Sequence, residues 1–264
     1  QPSLAGAPLR VLATSGFAVQ IDCDFSAYSD IAIGTAKLFN IRLMRNFSYP
    51  FFSQSTTELW QRWHISLSTW LRDYVCLPLD RWGHSQAWRM ASIFATFLIC
   101  GLWHGAAWHF VAWGAINGLV LAYATKVKPV RPSVPGGEDS LPRPRVLLRI
   151  CMTFGIFCAA AAFFRASSIA DAFVIYQRVL ADLFSSTAYT SAINQVLADK
   201  FLTTSWILVV VLFAIEWVQR RHPHPFVFPD SRPSLRWAVY STCLWASLFF
   251  MPTEATNPFI YFIF

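Results

Sequence analysis

Long apolar runs alternate with short polar segments along this chain. Ser92–Ala124 contains no Asp, Glu, Lys or Arg, Val146–Phe164 is interrupted only by Arg149, Phe201–Ile215 is uncharged, and Trp237–Phe250 is a shorter run. A helix needs about 20 largely apolar residues to cross a hydrocarbon core, so these runs predict membrane-crossing helices. As a single helix, Arg89–Tyr123 would be about 50 Å long against about 30 Å of hydrocarbon, so it must tilt steeply or break. Gly101, Gly105, Gly114 and Gly118 form two GxxxG pairs. Such pairs let helices approach closely and offer a place to bend.

The segment Val11–Ile41 is apolar but carries Asp22, Asp24 and Asp30, the last following Ser26 and Tyr28 in a polar patch ahead of a helical run over Ile31–Phe39. A charge at membrane depth costs about 2.5 to 3.5 kcal/mol on insertion scales, so such groups face a cavity or a partner. Asp30 is the candidate here, while Asp22 and Asp24 fit either a cavity or a helix end near the surface. Ser55-Thr-Thr-Glu58 has the capping-box pattern and predicts a helix from there to about Leu77, stopped by Pro78. Trp60, Trp63, Leu67, Trp70 and Tyr74 recur at three- and four-residue spacing, with Arg62, Ser66, Thr69 and Asp73 on the other side. That pattern predicts an interfacial or re-entrant amphipathic helix. Eight of the twelve tryptophans lie between Trp60 and Trp113, as an aromatic belt at the headgroup boundary requires.

Composition sharpens this picture: 55% of residues are hydrophobic and only 13% charged. The expected solvent is membrane lipid. The net charge of +7 does not form a nucleic-acid footprint, because the basic residues gather between apolar runs. Six Lys/Arg in Lys126–Arg149 oppose Glu138 and Asp139, four in Arg220–Arg236 oppose Asp230, and Arg165–Lys200 is balanced at three and three. By the positive-inside rule the first two segments are cytoplasmic and the third lies outside, with Lys126–Arg145, rich in Pro and Gly, an exposed cytoplasmic loop. Cys23, Cys76, Cys100, Cys151, Cys158 and Cys243 form no CxxC pair and read as small core residues. No signal-peptide pattern follows Gln1.

Two histidines stand out by position. His104 lies in Gly101-Leu-Trp-His-Gly105, where small neighbours leave room for a substrate, and His64 lies in Trp60-Gln-Arg-Trp-His-Ile-Ser-Leu-Ser68. Imidazole suits general-base work on a hydroxyl because its ordinary pKa, about 6.5, is near working pH. The residues leave open whether His104 is a base or a hydrogen-bonded core histidine. A metal site built on His104, His109 and Asp30 is disfavoured, because ligands on one helical face come three or four residues apart and these histidines are five apart. No bound metal or cofactor is expected. Ser66 and Ser68 lack the GxSxG surroundings of a nucleophile elbow.

Taken together, these segments resemble the membrane-bound O-acyltransferase superfamily, in particular its bacterial branch of alginate and peptidoglycan O-acetyltransferases. Asp24-Phe-Ser-Ala-Tyr-Ser-Asp-Ile-Ala-Ile-Gly34 is similar to that branch's DFSGYSDIAIG block, Phe47–Leu79 to its WRRWHISLSTWLRDY region, and Gly101-Leu-Trp-His-Gly-Ala-Ala-Trp108 to GLWHGAAW. Phe163-Phe-Arg-Ala166 and Pro258-Phe-Ile-Tyr-Phe-Ile-Phe264 are similar to the later FFRA motif and the FIYFQF ending. The departures, Asp22, Cys23, Ala27, Gln61 and Ile263, touch neither histidine.

The resemblance implies an all-α polytopic membrane protein in which residues 1–264 form the C-terminal part of one membrane domain, further helices preceding them. It implies that His104 is the catalytic histidine and His64 the second histidine of one chamber, with Asp30, Trp63, Trp103, Arg72 and Asp73 binding or positioning substrate. The expected reaction carries an acetyl group from a cytoplasmic thioester, acetyl-CoA, across the bacterial inner membrane toward an exported polysaccharide, by way of a periplasmic partner acetyltransferase. A teichoic-acid D-alanyl transferase shares the histidine, and a non-catalytic transporter or scaffold would also carry broken helices with charges inside.

Overall fold

The computed structural model describes residues 6–126, 142–220, 222 and 233–250, and all the regular structure among them is helical. Helix α1 (Ala7–Leu38) leads through a loop and a 3-10 turn (Pro50–Phe52) to α2 (Thr56–Arg62) and α3 (Ile65–Leu71). A π turn (Arg72–Cys76) and α4 (Leu77–Asp80) follow. Next come α5 (Gln86–His104), α6 (Trp108–Ala124), α7 (Pro144–Arg165), α8 (Ile169–Asp182), α9 (Ser186–Ala198), α10 (Lys200–Gln219) and α11 (Pro233–Phe249). Among the described helices, α7 and α10 each combine membrane-crossing length with a mean hydropathy of 2.1. Most of the loop expected over Lys126–Arg145 and the motif ending at Phe264 lie outside the described residues, as does most of the second basic segment.

Four expectations are corrected. The polar patch in Val11–Ile41 does not interrupt its helix: α1 runs through Asp22, Asp24 and Asp30. Carboxylates cap a helix only where amides are free, and inside one their propensity cost of about 0.7 kcal/mol or less is overridden by packing. The helix that starts at Ser55 is not continuous, since it breaks at Trp63–His64 and resumes at Ile65. Nor does Pro78 stop it. The chain loosens into the π turn just before and takes Pro78 into the first turn of α4, where no amide proton is needed. Finally, the cysteines are not uniformly core: Cys100 is buried, Cys23, Cys76 and Cys158 are half-buried, and Cys151 and Cys243 are exposed.

The capping box forms in a modified way. Ser55 Oγ accepts from the Glu58 amide at 3.2 Å, while Glu58 Oε2 accepts from the amide of Gln54, one residue earlier than the usual partner, at 2.8 Å. The other oxygen, Oε1, pairs with Arg62 at 2.7 Å, so a buried carboxylate fixes both ends of α2.

The long apolar run takes the second of its two options and breaks at Gly105–Ala107, so α5 and α6 fold back on each other. Gln86 Nε2 donates to Thr125 Oγ1 at 2.9 Å, which closes the open end of this hairpin. Helix directions follow from ring contacts. The start of α6 meets the end of α7 through Phe110 and Phe164, at 5.1 Å, so these helices are antiparallel. Phe17 on α1 also meets Phe164, at 6.5 Å, and the Ala7 amide donates to Asp182 on α8 at 3.2 Å. The early part of α1 therefore sits beside the end of α7. At the other end, Tyr49 donates to the His222 carbonyl at 3.3 Å.

Candidate active site

The first histidine is delivered by close helix packing. A Cβ on Gly101 would run into the carbonyl oxygen of Phe110, and one on Gly114 into that of Phe97. Backbones this close leave no space for side chains along the seam, so the large rings collect at the turn. There His104, the last residue of α5 and only 9% exposed, is boxed by Trp103, Trp113 and Phe164 at centroid distances of 4.8, 5.1 and 5.0 Å, each edge-on.

The second histidine sits at the break between α2 and α3 in a left-handed conformation (φ 45°) that non-glycine residues seldom adopt. Its ring, in a residue 8% exposed, packs edge-on against Phe25 at 4.6 Å and against Trp103 at 6.3 Å. The buried His64 Nδ1 has no hydrogen-bond partner among the described residues.

Both histidines line one cavity of about 30 Å³, together with Ile21 of α1, Trp60, Trp63 and Leu67 of the α2–α3 segment, Cys100 of α5, Trp113 of α6, and Phe157, Ala161 and Phe164 of α7. Five segments far apart in sequence thus converge on two imidazoles. Among the described residues the lining is aromatic or aliphatic apart from the two histidines and Cys100, and includes no carboxylate. A volume of that size holds about two water molecules. A larger group enters only if the lining side chains move.

The other predicted site residues divide. Trp63 is buried in the wall, against Phe47 at 5.2 Å and Phe157 at 4.7 Å. Trp103 touches both histidines but is 57% exposed. Asp30 is exposed and opens onto a second, polar cavity of about 50 Å³, which Asp22, Arg45, Tyr49 and Glu216 also line. Within that cavity Asp22 is the deeply buried carboxylate, at 4% exposure. Arg72 and Asp73 pair with each other at 2.7 Å on the surface and line neither cavity. The hydrogen bond from Arg72 holds the Asp73 carboxyl below its ordinary range. His109 packs on Phe110 at 4.1 Å and does not line the cavity of His104. Sequence reasoning missed Phe164, Trp113 and Cys100 as walls of the chamber, and Asn46 beside it. For Phe164 the FFRA motif was the available signal.

The model of the membrane-bound O-acyltransferase family matches residues 9–163. The chain is 35% identical over 227 residues to a probable alginate O-acetylase of Azotobacter vinelandii, covering 85% of this chain and 42% of that protein. It is 31% identical over 281 residues to a probable alginate O-acetylase of Pseudomonas putida, covering 100% of this chain and 54% of the relative. To the peptidoglycan O-acetyltransferase of Helicobacter pylori it is 33% identical over 160 residues, covering 59% and 28%. The chain spans about a quarter to a half of the length of these relatives.

Proposed function

Because this chain belongs to the membrane-bound O-acyltransferase family, we propose that it is the histidine-bearing part of a multi-pass O-acetyltransferase of the bacterial inner membrane. Its substrate class is an exported polysaccharide or peptidoglycan, in keeping with the names of the relatives. The observation that carries this reading is the convergence of His104 and His64 on one cavity, out of two separate helix breaks.

In this mechanism His104 takes the proton of an acceptor hydroxyl as its oxygen attacks the thioester carbonyl. The carbon–oxygen bond forms, the carbon–sulfur bond breaks, and the imidazolium returns the proton to the departing thiolate. General-base help of this kind is worth on the order of a hundred- to ten-thousand-fold in rate. Trp103, Trp113 and Phe164 enclose the ring and restrain its orientation, and among the described residues no carboxylate lines its cavity as in a Ser-His-Asp triad. His64, whose Nδ1 has no partner, is free to donate to the developing oxyanion once protonated there.

Acetyl-CoA is the proposed donor, arriving from the cytoplasm, and a periplasmic acetyltransferase completes delivery to the sugar. Helix directions support the topology: α6 and α7 are antiparallel, which suits a shared cytoplasmic end at the basic Lys126–Arg149 segment.

The test is His104→Ala in the full-length protein. It is expected to insert normally and to abolish polymer O-acetylation; full acetylation would remove the histidine from the mechanism. Mass analysis of the product, acetyl against D-alanyl, separates the two transferase chemistries.

A further inference from the structure

A left-handed residue at the start of a helix poses two problems: the conformation is strained, and the first amides of the new helix need acceptors. The N-terminal residue usually meets the second need with its own side chain. His64 does not, for it makes no side-chain cap. The amides are satisfied from a segment about two turns of chain upstream of α2. The Asn46 carbonyl accepts from Ile65 N at 2.9 Å, and Asn46 Oδ1 accepts from Ser66 N at 3.0 Å. On the near side of the break the Ser48 amide donates to the Arg62 carbonyl at 2.9 Å. Asn46, Phe47 and Ser48 therefore straddle His64 like a clip, with the Phe47 ring 6.4 Å from the imidazole between the two polar grips. The clip is itself moored to α1, since Asn46 Nδ2 donates to Ser29 Oγ at 3.2 Å.

We propose that Asn46 is a positioning residue for the acyl-transfer site: it caps α3 in place of His64, so that the imidazole is released from capping and turned into the cavity it shares with His104. The inference rests on the reading of that cavity as the reaction chamber. It assigns a role to the amide side chain that is distinct from fold maintenance, because its oxygen holds an amide of the first turn that follows the strained residue. Asn46 touches neither histidine ring through its own polar atoms and acts through the backbone of residues 65 and 66.

The experiment uses the full-length protein in nanodiscs with Asn46→Ala, Asn46→Asp and Ser29→Ala. Hydrogen exchange of fragments spanning residues 63–68 reads the clip directly, and thioester cleavage, followed as free thiol released from acetyl-CoA, reads its consequence. Losing one hydrogen bond of this type corresponds to roughly a three- to tenfold change. Asn46→Ala is expected to speed exchange at Ser66, whose acceptor it removes, by about tenfold and to lower kcat by at least as much, with donor KM within about threefold. Asn46→Asp keeps the acceptor for Ser66 and is expected to restore both readouts. Ser29→Ala, which removes only the mooring, gives the same changes at about threefold. Unchanged exchange in Asn46→Ala overturns the proposal, as does a kcat loss that Asn46→Asp fails to rescue. If the unaltered protein cleaves no thioester, the enzymatic reading falls, and exchange alone then decides whether the clip exists.

Discussion

The two histidines are held by opposite devices. His104 ends a helix in a hairpin whose two halves touch backbone to backbone, so its place is set by what is missing: side chains at Gly101 and Gly114. His64 occupies a strained break spanned by three residues from elsewhere in the chain, so its place is set by hydrogen bonds that had to be added. The first device is local, steric and intolerant of any added atom. The second is nonlocal and polar, and it tolerates substitutions that keep an acceptor in position. One cavity thus draws on two independent sources of order.

That contrast can be broken most severely at the wall both histidines share. Phe164→Ala removes a ring packed on His104, Trp113, Phe110 and Phe17, and is expected to cost about 3 to 5 kcal/mol, visible as a large drop in melting temperature in detergent. Gly114→Val should cost about 1 to 3 kcal/mol by prying α5 from α6, with loss of activity; normal stability would refute the steric account of His104. At His64 the expected difference is smaller and runs between two inactive variants. His64→Asn should be more stable than His64→Ala by about 1 kcal/mol, because asparagine tolerates the left-handed conformation; equal melting temperatures would mean that the break relaxes. Least of all is Asp73→Asn. Asp73 is exposed and its carboxyl is held low, so its pairing is fully present above its ordinary range and fades only as pH falls through the lowered value. The melting temperature of Asp73→Asn should therefore differ only slightly from the parent's, with any difference present from about pH 5 upward and gone in strong acid, where a larger gap than at neutral pH would refute the pairing.

Much of this was legible in the sequence wherever the cause is local. The Ser55 cap, the apolar helices α7 and α10, and the need for the run around Gly105 to tilt or break are written in neighbouring residues. The break at His64 was not, because the aromatic stripe from Trp60 to Tyr74 keeps its helical spacing straight across it. What interrupts that helix is Asn46, eighteen positions from His64, and no periodicity reports a partner at that distance. The acidic patch shows the same limit. Spacing drew attention to Asp30, yet depth is decided by how α1 packs: Asp22 is buried while Asp30, on the same polar cavity, is exposed. The histidine pair was recognised through its motifs, whereas Phe164 and Cys100 become walls only after five segments have packed.

The smallness of the cavity around His104 has an electrical consequence. A base reachable from both faces of a membrane is a hazard to the cell that energises it, since a continuous thread of water through that point would let protons run down their gradient. Room for about two waters, among indole and phenyl groups, leaves little space for such a thread beside the imidazole. On the proposed reading, such a ring would hold back proton flow at rest, and the gap would need to widen only while an acyl group fills it.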